Sequence, residues 1–257
     1  MEDQDAQTRE AMDYWGYMFE ENKCGTKKLN QLLSGIWDHI SKNIDPAEYQ
    51  DVNPTQLAAF YRAVGGDYDA LFVETPPTSI AFIYKSIGCL HSLQPAPDDD
   101  GYGAPQIPAL KKKGYITWQT IQLLLGPEEH VPFLQNAVDK FDIIDPETNR
   151  PFPKLLPREA FPDHPDPSMI EWYEDVANKL RAEAEQQGNE RRNRTNVGTT
   201  SPTAEAPNGG SAHHRRNSSE ESKDGSADER TGAAEYFRNP LYRNREGRPT
   251  VVHRYSK

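Results

Sequence analysis

Apolar side chains recur at steps of three and four through most of the first three quarters of the chain, and the clearest run is Leu29, Leu32, Leu33, Ile36, Trp37 and Ile40. That spacing places all six on one stripe of an α-helix, with Thr26 ahead of them as a natural N-cap. Upstream, Ala11, Tyr14, Trp15, Met18 and Phe19 repeat the spacing and predict a first helix that ends near Asn22 and turns through Lys23-Cys24-Gly25. So short a connection implies an antiparallel pair. Asn53-Pro54 reads as a cap plus a first-turn proline for a helix carrying Leu57, Phe60, Tyr61 and Val64, stopped by Gly65-Gly66. DYDALFVE is long enough for one or two turns. Thr75-Pro76-Pro77 then opens a helix lined by Ile80, Ile83, Tyr84, Ile87 and Leu90, expected to end around Ser92.

From Pro95 to Pro108 the periodicity lapses into turn formers, predicting a surface loop that divides the body. Beyond it, Gly114-Tyr115-Ile116 reads as a short extended element and Thr117 as the cap of a helix with Trp118, Ile121, Leu124 and Leu125 inward. Gly126-Pro127 ends that helix and begins another with Val131, Leu134, Val138 and Phe141 inside and two glutamates, Glu128 and Glu129, at the positive end of its dipole. Residues 143–153 predict a hairpin-like turn with short flanking strands. Asp166-Pro167 opens a last helix with Ile170, Tyr173, Val176, Ala177 and Leu180, running toward Gln187. The expectation is an all-α globular domain of seven or eight helices with a minor β-hairpin over residues 14–188, in two halves, 14–94 and 109–188, around the loop at 95–108. Residues 1–13 form a flexible acidic N-terminus or the start of the first helix, and residues 189–257 form a disordered C-terminal tail, because they contain too few large apolar side chains to offset the entropy of ordering.

Charge sharpens that division. Residues 1–188 carry 16 Lys/Arg against 31 Asp/Glu, whereas residues 189–257 carry 13 against 9, with the basic surplus between Arg238 and Lys257. An acidic body argues against a grip on a phosphate backbone, so nucleic-acid contact is expected only through the tail, at Arg238, Arg243, Arg245, Arg248 and Arg254. No apolar run is long enough for a transmembrane segment, and MEDQDAQTRE is acidic where a secretory leader would be basic and then apolar. Two cysteines, Cys24 and Cys89, are too few for a disulfide framework and are expected to be small buried apolar side chains. Together these features point to the cytoplasm or nucleus.

The chemistry-bearing residues do not assemble into a recognised site. Two helix, loop, strand, helix units in succession follow the plan of a paired EF-hand, but Ala109, Lys111, Lys113 and Thr120 fall where the first loop needs oxygen ligands. In the second, Asp145, Glu147 and Asn149 fit, while Arg150 replaces the glycine and Leu156 the bidentate glutamate, so calcium binding is not expected. Asp98, Asp99 and Asp100 read as a solvated acidic turn, and His39, His91, His130 and His164 each lack a paired ligand. There is no nucleophile elbow and no phosphate loop. No catalytic, cofactor or metal residue is expected. Tyr17, Tyr115 and Trp172 sit off the main stripes and are candidate exposed anchors for a protein partner. Arg215-Arg216-Asn217-Ser218 matches what a basophilic kinase reads, making Ser218 a candidate phosphosite.

The strings YWGYMFEENKCGTKKLNQLLSGI, LAAFYRAVGGDYDALF, TPPTSIAFIYKSIGCLHSLQP, GYITWQTIQLLLGPEEHVPFLQNAV and FPKLLPREAFPDHPDP resemble the domain of unknown function (DUF) family 7514, widespread in filamentous fungi. The resemblance covers roughly residues 14–174. It implies a fungal source and accompanying disordered regions, and brings no activity, cofactor or catalytic residue. The expected function is therefore a non-enzymatic intracellular interaction module with a phosphorylatable tail. Its alternatives are an enzyme or small-ligand binder with a site near residues 95–108 and 142–158, and weak nucleic-acid contact through the basic tail.

Overall fold

The structure, a computed structural model, describes residues 2–47, 49–96, 99–100 and 102–196. Its elements are helices α1 (Glu2–Trp15), α2 (Lys27–Asn43), α3 (Pro54–Ala63), α4 (Asp69–Phe72) and α5 (Pro77–Ser86), strands β1 (His91–Gln94) and β2 (Ile107–Leu110), then helices α6 (Lys112–Leu125), α7 (Pro127–Lys140) and α8 (Pro167–Asn196). A single 3-10 turn, Arg158–Ala160, precedes α8. The all-α class with one small hairpin holds for the described residues. Of the two readings of residues 1–13, the start of a helix is the one found. α8 continues to Asn196, past the expected end of the body; the rest of the expected tail lies outside the described residues. No helix among these residues is long and apolar enough to cross a membrane.

The caps predicted at Thr26 and Asn53 form, while Thr117, read as a cap, lies inside α6 with its hydroxyl donating to the Lys113 carbonyl. Thr26 accepts from the Leu29 amide, and Asn53 makes a full capping box in which its side chain accepts from the Gln56 amide while the Gln56 side chain accepts from the Asn53 amide. The stripe on α2 is buried at Leu29, Leu32, Leu33, Ile36 and Ile40, with Trp37 at its edge.

The bounds of three helices are corrected. The first helix stops at Trp15 because Gly16 takes a left-handed conformation (φ 63°), so Met18 and Phe19 are buried from a loop closed by a bridge between Phe19 and Gly25. α5 stops at Ser86 for the same reason: Gly88 (φ 76°) lets the Cys89 amide reach back to the Tyr84 carbonyl, the long bond of a Schellman cap. Residues 91–94 then leave as a strand rather than a last helical turn. That strand pairs antiparallel with 107–110, in register His91 with Leu110 and Gln94 with Ile107, so the hairpin of the fold is the base of the 95–108 loop. At 143–152 only an isolated bridge, Ile144 with Pro151, survives, since Pro151 and Pro153 have no amide to give to a ladder.

The third correction concerns Gly114-Tyr115-Ile116, which is helical and belongs to α6. This helix is buried on nearly every side, at Tyr115, Trp118, Ile121, Leu123, Leu124 and Leu125, and it packs against α2, α7, α8 and β2. Gly114 is there for space and not for a turn: a Cβ at this position would overlap the Leu90 carbonyl, just before β1. Buried apolar residues from α1 through α8 join one cluster, so the two sequence halves share a single core.

Gly114→Ala is expected to lower the unfolding free energy by about 2–3 kcal/mol through that overlap, outweighing the roughly 1 kcal/mol of added helix propensity. Urea unfolding measures it; a variant as stable as the parent would mean that the hairpin and α6 separate freely.

Candidate functional site

The three predicted anchors part company. Tyr115 is 0% exposed, with its hydroxyl accepting from Gln119 Nε2 at 3.2 Å, and so cannot touch a partner. It lies three residues before Trp118 on the same buried stripe. Tyr17 is 53% and Trp172 36% exposed, and both remain at the surface. Tyr17 follows the glycine that ends α1, and Trp172 faces outward from the second turn of α8.

An ion pair joins the loop that follows α1 to the start of α8. Lys23 Nζ lies 2.6 Å from Asp166 Oδ2, whose residue caps α8 by accepting from the Met169 amide through Oδ1 at 3.0 Å. Hydrogen bonding to Lys23 holds the Asp166 carboxyl below its usual range. The same contact, with a smaller electrostatic contribution from Tyr17, holds the Lys23 ammonium above its own. The backbone fixes this corner further: the Met18 amide donates to Ala160 O at 2.8 Å, the Asp166 amide to Leu124 O at 2.8 Å, and Trp15 Nε1 to Leu155 O at 2.7 Å. Lys23 itself adopts a left-handed conformation (φ 68°) in the turn from Glu20 to Cys24. Exposed carboxylates neighbour each aromatic in sequence, Glu20 and Glu21 after Tyr17 and Glu171 and Asp175 around Trp172. Each aromatic thus stands among acidic residues on a rigid support.

The two loops singled out for a ligand site meet α2 at different places. The 142–158 turn lies along the start of the helix, where Lys27 Nζ and Gln31 Nε2 both donate to Glu147, and the Ile144 carbonyl oxygen would be 2.5 Å from a Cβ at Gly35. Asp145 spends its carboxylate on its own turn, accepting from the Glu147 amide and the Thr148 hydroxyl. The base of the 95–108 loop meets Trp37, whose Nε1 donates to Leu110 O at 3.0 Å. Ser92 Oγ donates there to the buried Asp51 at 2.7 Å, and Lys111 Nζ stands 3.7 Å from the same carboxylate. At the loop tip Asp99 and Asp100 accept from the amides of Gly103 and Tyr102; Asp98 lies outside the described residues. Among the described residues no group of three or more His, Cys, Asp and Glu side chains is placed to hold a metal ion.

A polar group that sequence spacing missed lies in the core. His130, 1% exposed, sits among the rings of Tyr61, Tyr68 and Phe133. Its Nε2 is 2.9 Å from the Tyr68 hydroxyl, and that hydroxyl donates to Glu129 Oε1 at 3.1 Å. With the tyrosine proton pointing at Glu129, Nε2 must carry the imidazole proton, leaving Nδ1 as a bare lone pair that no group among the described residues meets. Burial pushes the imidazole down to about 3, so it is neutral in the folded state. Nothing in its spacing marks it: a histidine next to a glutamate in a first helical turn looks solvated until the fold puts Tyr68 over it.

The cysteines also differ from expectation. Cys89 is buried, and burial pushes its thiol up to about 12, but Cys24 is exposed in the turn beside Lys23. Ser218 and Arg238, Arg243, Arg245, Arg248 and Arg254 lie outside the described residues.

Comparison with known proteins adds one match. The profile of a family described as a domain of unknown function, DUF7514, covers residues 16–177, from the end of α1 into α8. No curated protein and no solved structure matches the chain.

Two measurements follow from these environments. An unfolded histidine takes up a proton as pH falls through about 6.5, while His130 stays neutral down to about 3, so its contribution to stability is intact above 6.5 and is lost as pH falls toward 3. Between pH 6.5 and 4.5 this amounts to about 2 kcal/mol, and denaturant unfolding of His130→Gln at the two pH values should show the parent's acid loss reduced by that much; an unchanged loss would contradict a neutral buried imidazole. In the native protein an alkylating reagent should modify Cys24 alone, read by mass spectrometry, because only about one Cys89 thiol in ten thousand is ionised at pH 8; comparable labelling of Cys89 would contradict its burial.

Proposed function

We propose, on the premise that this chain belongs to the family described as a domain of unknown function, DUF7514, that it is a non-enzymatic protein-interaction module. The observation that carries the reading is the exposure of Tyr17 and Trp172, each on an element that the Lys23–Asp166 ion pair ties to the other. Exposed tyrosine and tryptophan are the side chains that most often dominate binding energy, since they bring large contact area with few torsions to freeze. A rigid support lowers the entropy lost on binding. The carboxylates around them select a partner segment rich in Lys or Arg, which also gives the encounter its electrostatic steering. A chain of this kind works in the cytoplasm or nucleus. Phosphorylation of Ser218 would change the charge carried by the tail and hence its competition for the same acidic surface.

The full chain carrying Tyr17→Ala and Trp172→Ala together should lose capture of the proteins that the parent chain retains reproducibly from a lysate of its source. Its unfolding free energy should shift by no more than about 0.5 kcal/mol per site, as is usual for surface positions. Equal capture by parent and double variant would remove this face from consideration.

A further inference from the structure

We infer that the outer edge of β1 is a docking site for an extended, basic segment of another protein, which adds to the hairpin as a third strand. This is a second surface, and it does not depend on Tyr17 or Trp172. Register decides which backbone groups are open. In an antiparallel pair, opposite residues alternate between pairs that exchange hydrogen bonds and pairs that turn their amides and carbonyls away. Leu90 and Lys111 belong to the bonded set, because the Lys111 amide donates to Leu90 O at 3.1 Å, and two positions further along so do Ser92 with Ala109 and then Gln94 with Ile107. His91 with Leu110 and Leu93 with Pro108 are therefore the outward-facing pairs. On the β2 side the pattern is direct: Leu110 exchanges two bonds with Val52, and Pro108 sits at a position whose amide the β1–β2 ladder does not use. On the β1 side the amides and carbonyls of His91 and Leu93 face no strand among the described residues.

An open edge is a template for another strand, and the usual guards against pairing, a lysine or a proline within the strand, are absent from His91-Ser92-Leu93-Gln94. Leu90 and Leu93 are 56% and 52% exposed and, three positions apart in an extended ladder, lie on opposite faces, so a chain laid alongside finds apolar surface on both. Main-chain bonds at His91 and Leu93 would supply affinity, and these leucines would select the side chains that alternate beside them. Charge chooses the occupant. From Gly88 to Leu110 the chain holds Asp98, Asp99 and Asp100 and neither Lys nor Arg. Lys111, at the Leu90 end of the ladder, stands 3.7 Å from the buried Asp51 carboxylate. The acidic loop leaves the Gln94 end of β1, where an antiparallel newcomer arrives with its N-terminal residues. The segment that fits therefore carries Lys or Arg first and alternating β-branched residues after. A second copy of this chain is the poorer match, since its acidic body brings like charge to the same loop.

Amide hydrogen exchange in the intact chain reads this pairing residue by residue. A synthetic peptide of two lysines followed by alternating valine and threonine should slow exchange at His91 and Leu93 and leave Ser92 and Gln94, already bonded to β2, as they were. Leu93→Pro removes an outward donor and sets a ring in its place without touching a β1–β2 bond, so it should weaken binding of the labelled peptide, read by fluorescence anisotropy, roughly tenfold. Unaltered exchange at Ser92 verifies that the hairpin persists in the variant; should it not persist, the exchange pattern of the parent decides. Asp98, Asp99 and Asp100 changed together to Asn, which keeps the side-chain acceptors of the loop, should weaken binding severalfold. No slowing at His91 and Leu93, equal slowing at Ser92 and Gln94, equal binding of a twin peptide with glutamates for lysines, or undiminished binding to a Leu93→Pro chain whose hairpin persists would each overturn the inference. So would slowing that grows with protein concentration in the absence of peptide, which would assign the edge to a second copy. Any of these results would leave capture through Tyr17 and Trp172 standing, because that reading rests on other residues.

Discussion

The fold depends on burying nearly all of α6. A helix that presents Tyr115, Trp118, Ile121, Leu123, Leu124 and Leu125 to protein keeps only a narrow, partly exposed stripe, Lys113, Ile116, Thr117 and Thr120, to orient it. It must be enclosed by several partners, and α2, α7, α8 and β2 supply them. Close approach is then the governing constraint. At its N-terminal end the only way to seat β1 against the helix is to remove a side chain, which is what Gly114 does beneath the Leu90 carbonyl. The hydrogen bonds at this junction follow from the same contact: Lys111 donates its amide to Leu90, Leu110 exchanges two bonds with Val52, and Trp37 reaches the Leu110 carbonyl. One helix thus ties the hairpin, the second helix and the last helix into a single core.

What could be read from the sequence was what depends on neighbours in the chain. Caps at Thr26 and Asn53, the prolines at helix starts and the stripes of α2, α3 and α7 are local, and they form as read. The failures share a cause. Gly16 and Gly88 end helices through left-handed conformations, yet the apolar spacing runs on past both, because Met18, Phe19 and Leu90 belong to the following loop or strand and fall in phase by accident. Gly114 misleads in the opposite direction. A glycine beside Tyr115 looks like a break, but its role is to admit a distant carbonyl, and no local pattern records what approaches from 24 residues upstream.

The same distinction governs the candidate site. Treating 114–116 as extended moved Tyr115 off the stripe of Trp118 and made it look exposed; once helical, the two residues are three apart and face the same interior. Tyr17 and Trp172 were legible because nothing in their neighbourhood claimed them for the core. The contact that joins their two elements was not, since Lys23 meets Asp166 across 143 positions of sequence. His130 was hidden for the same reason: its partner Tyr68 comes from another half of the chain.

Exposure of single aromatic residues is ordinary and by itself indicates nothing about binding. What distinguishes Tyr17 and Trp172 is that each stands on backbone that is already fixed, Tyr17 beside the Met18–Ala160 hydrogen bond and Trp172 on a helix whose cap, Asp166, pairs with the left-handed Lys23 and gives its amide to Leu124. A partner that settles there loses its own freedom but asks little of the domain. The negative field adds selectivity without adding much affinity, because carboxylates in water gain little from one cation and more from several arriving together on one segment.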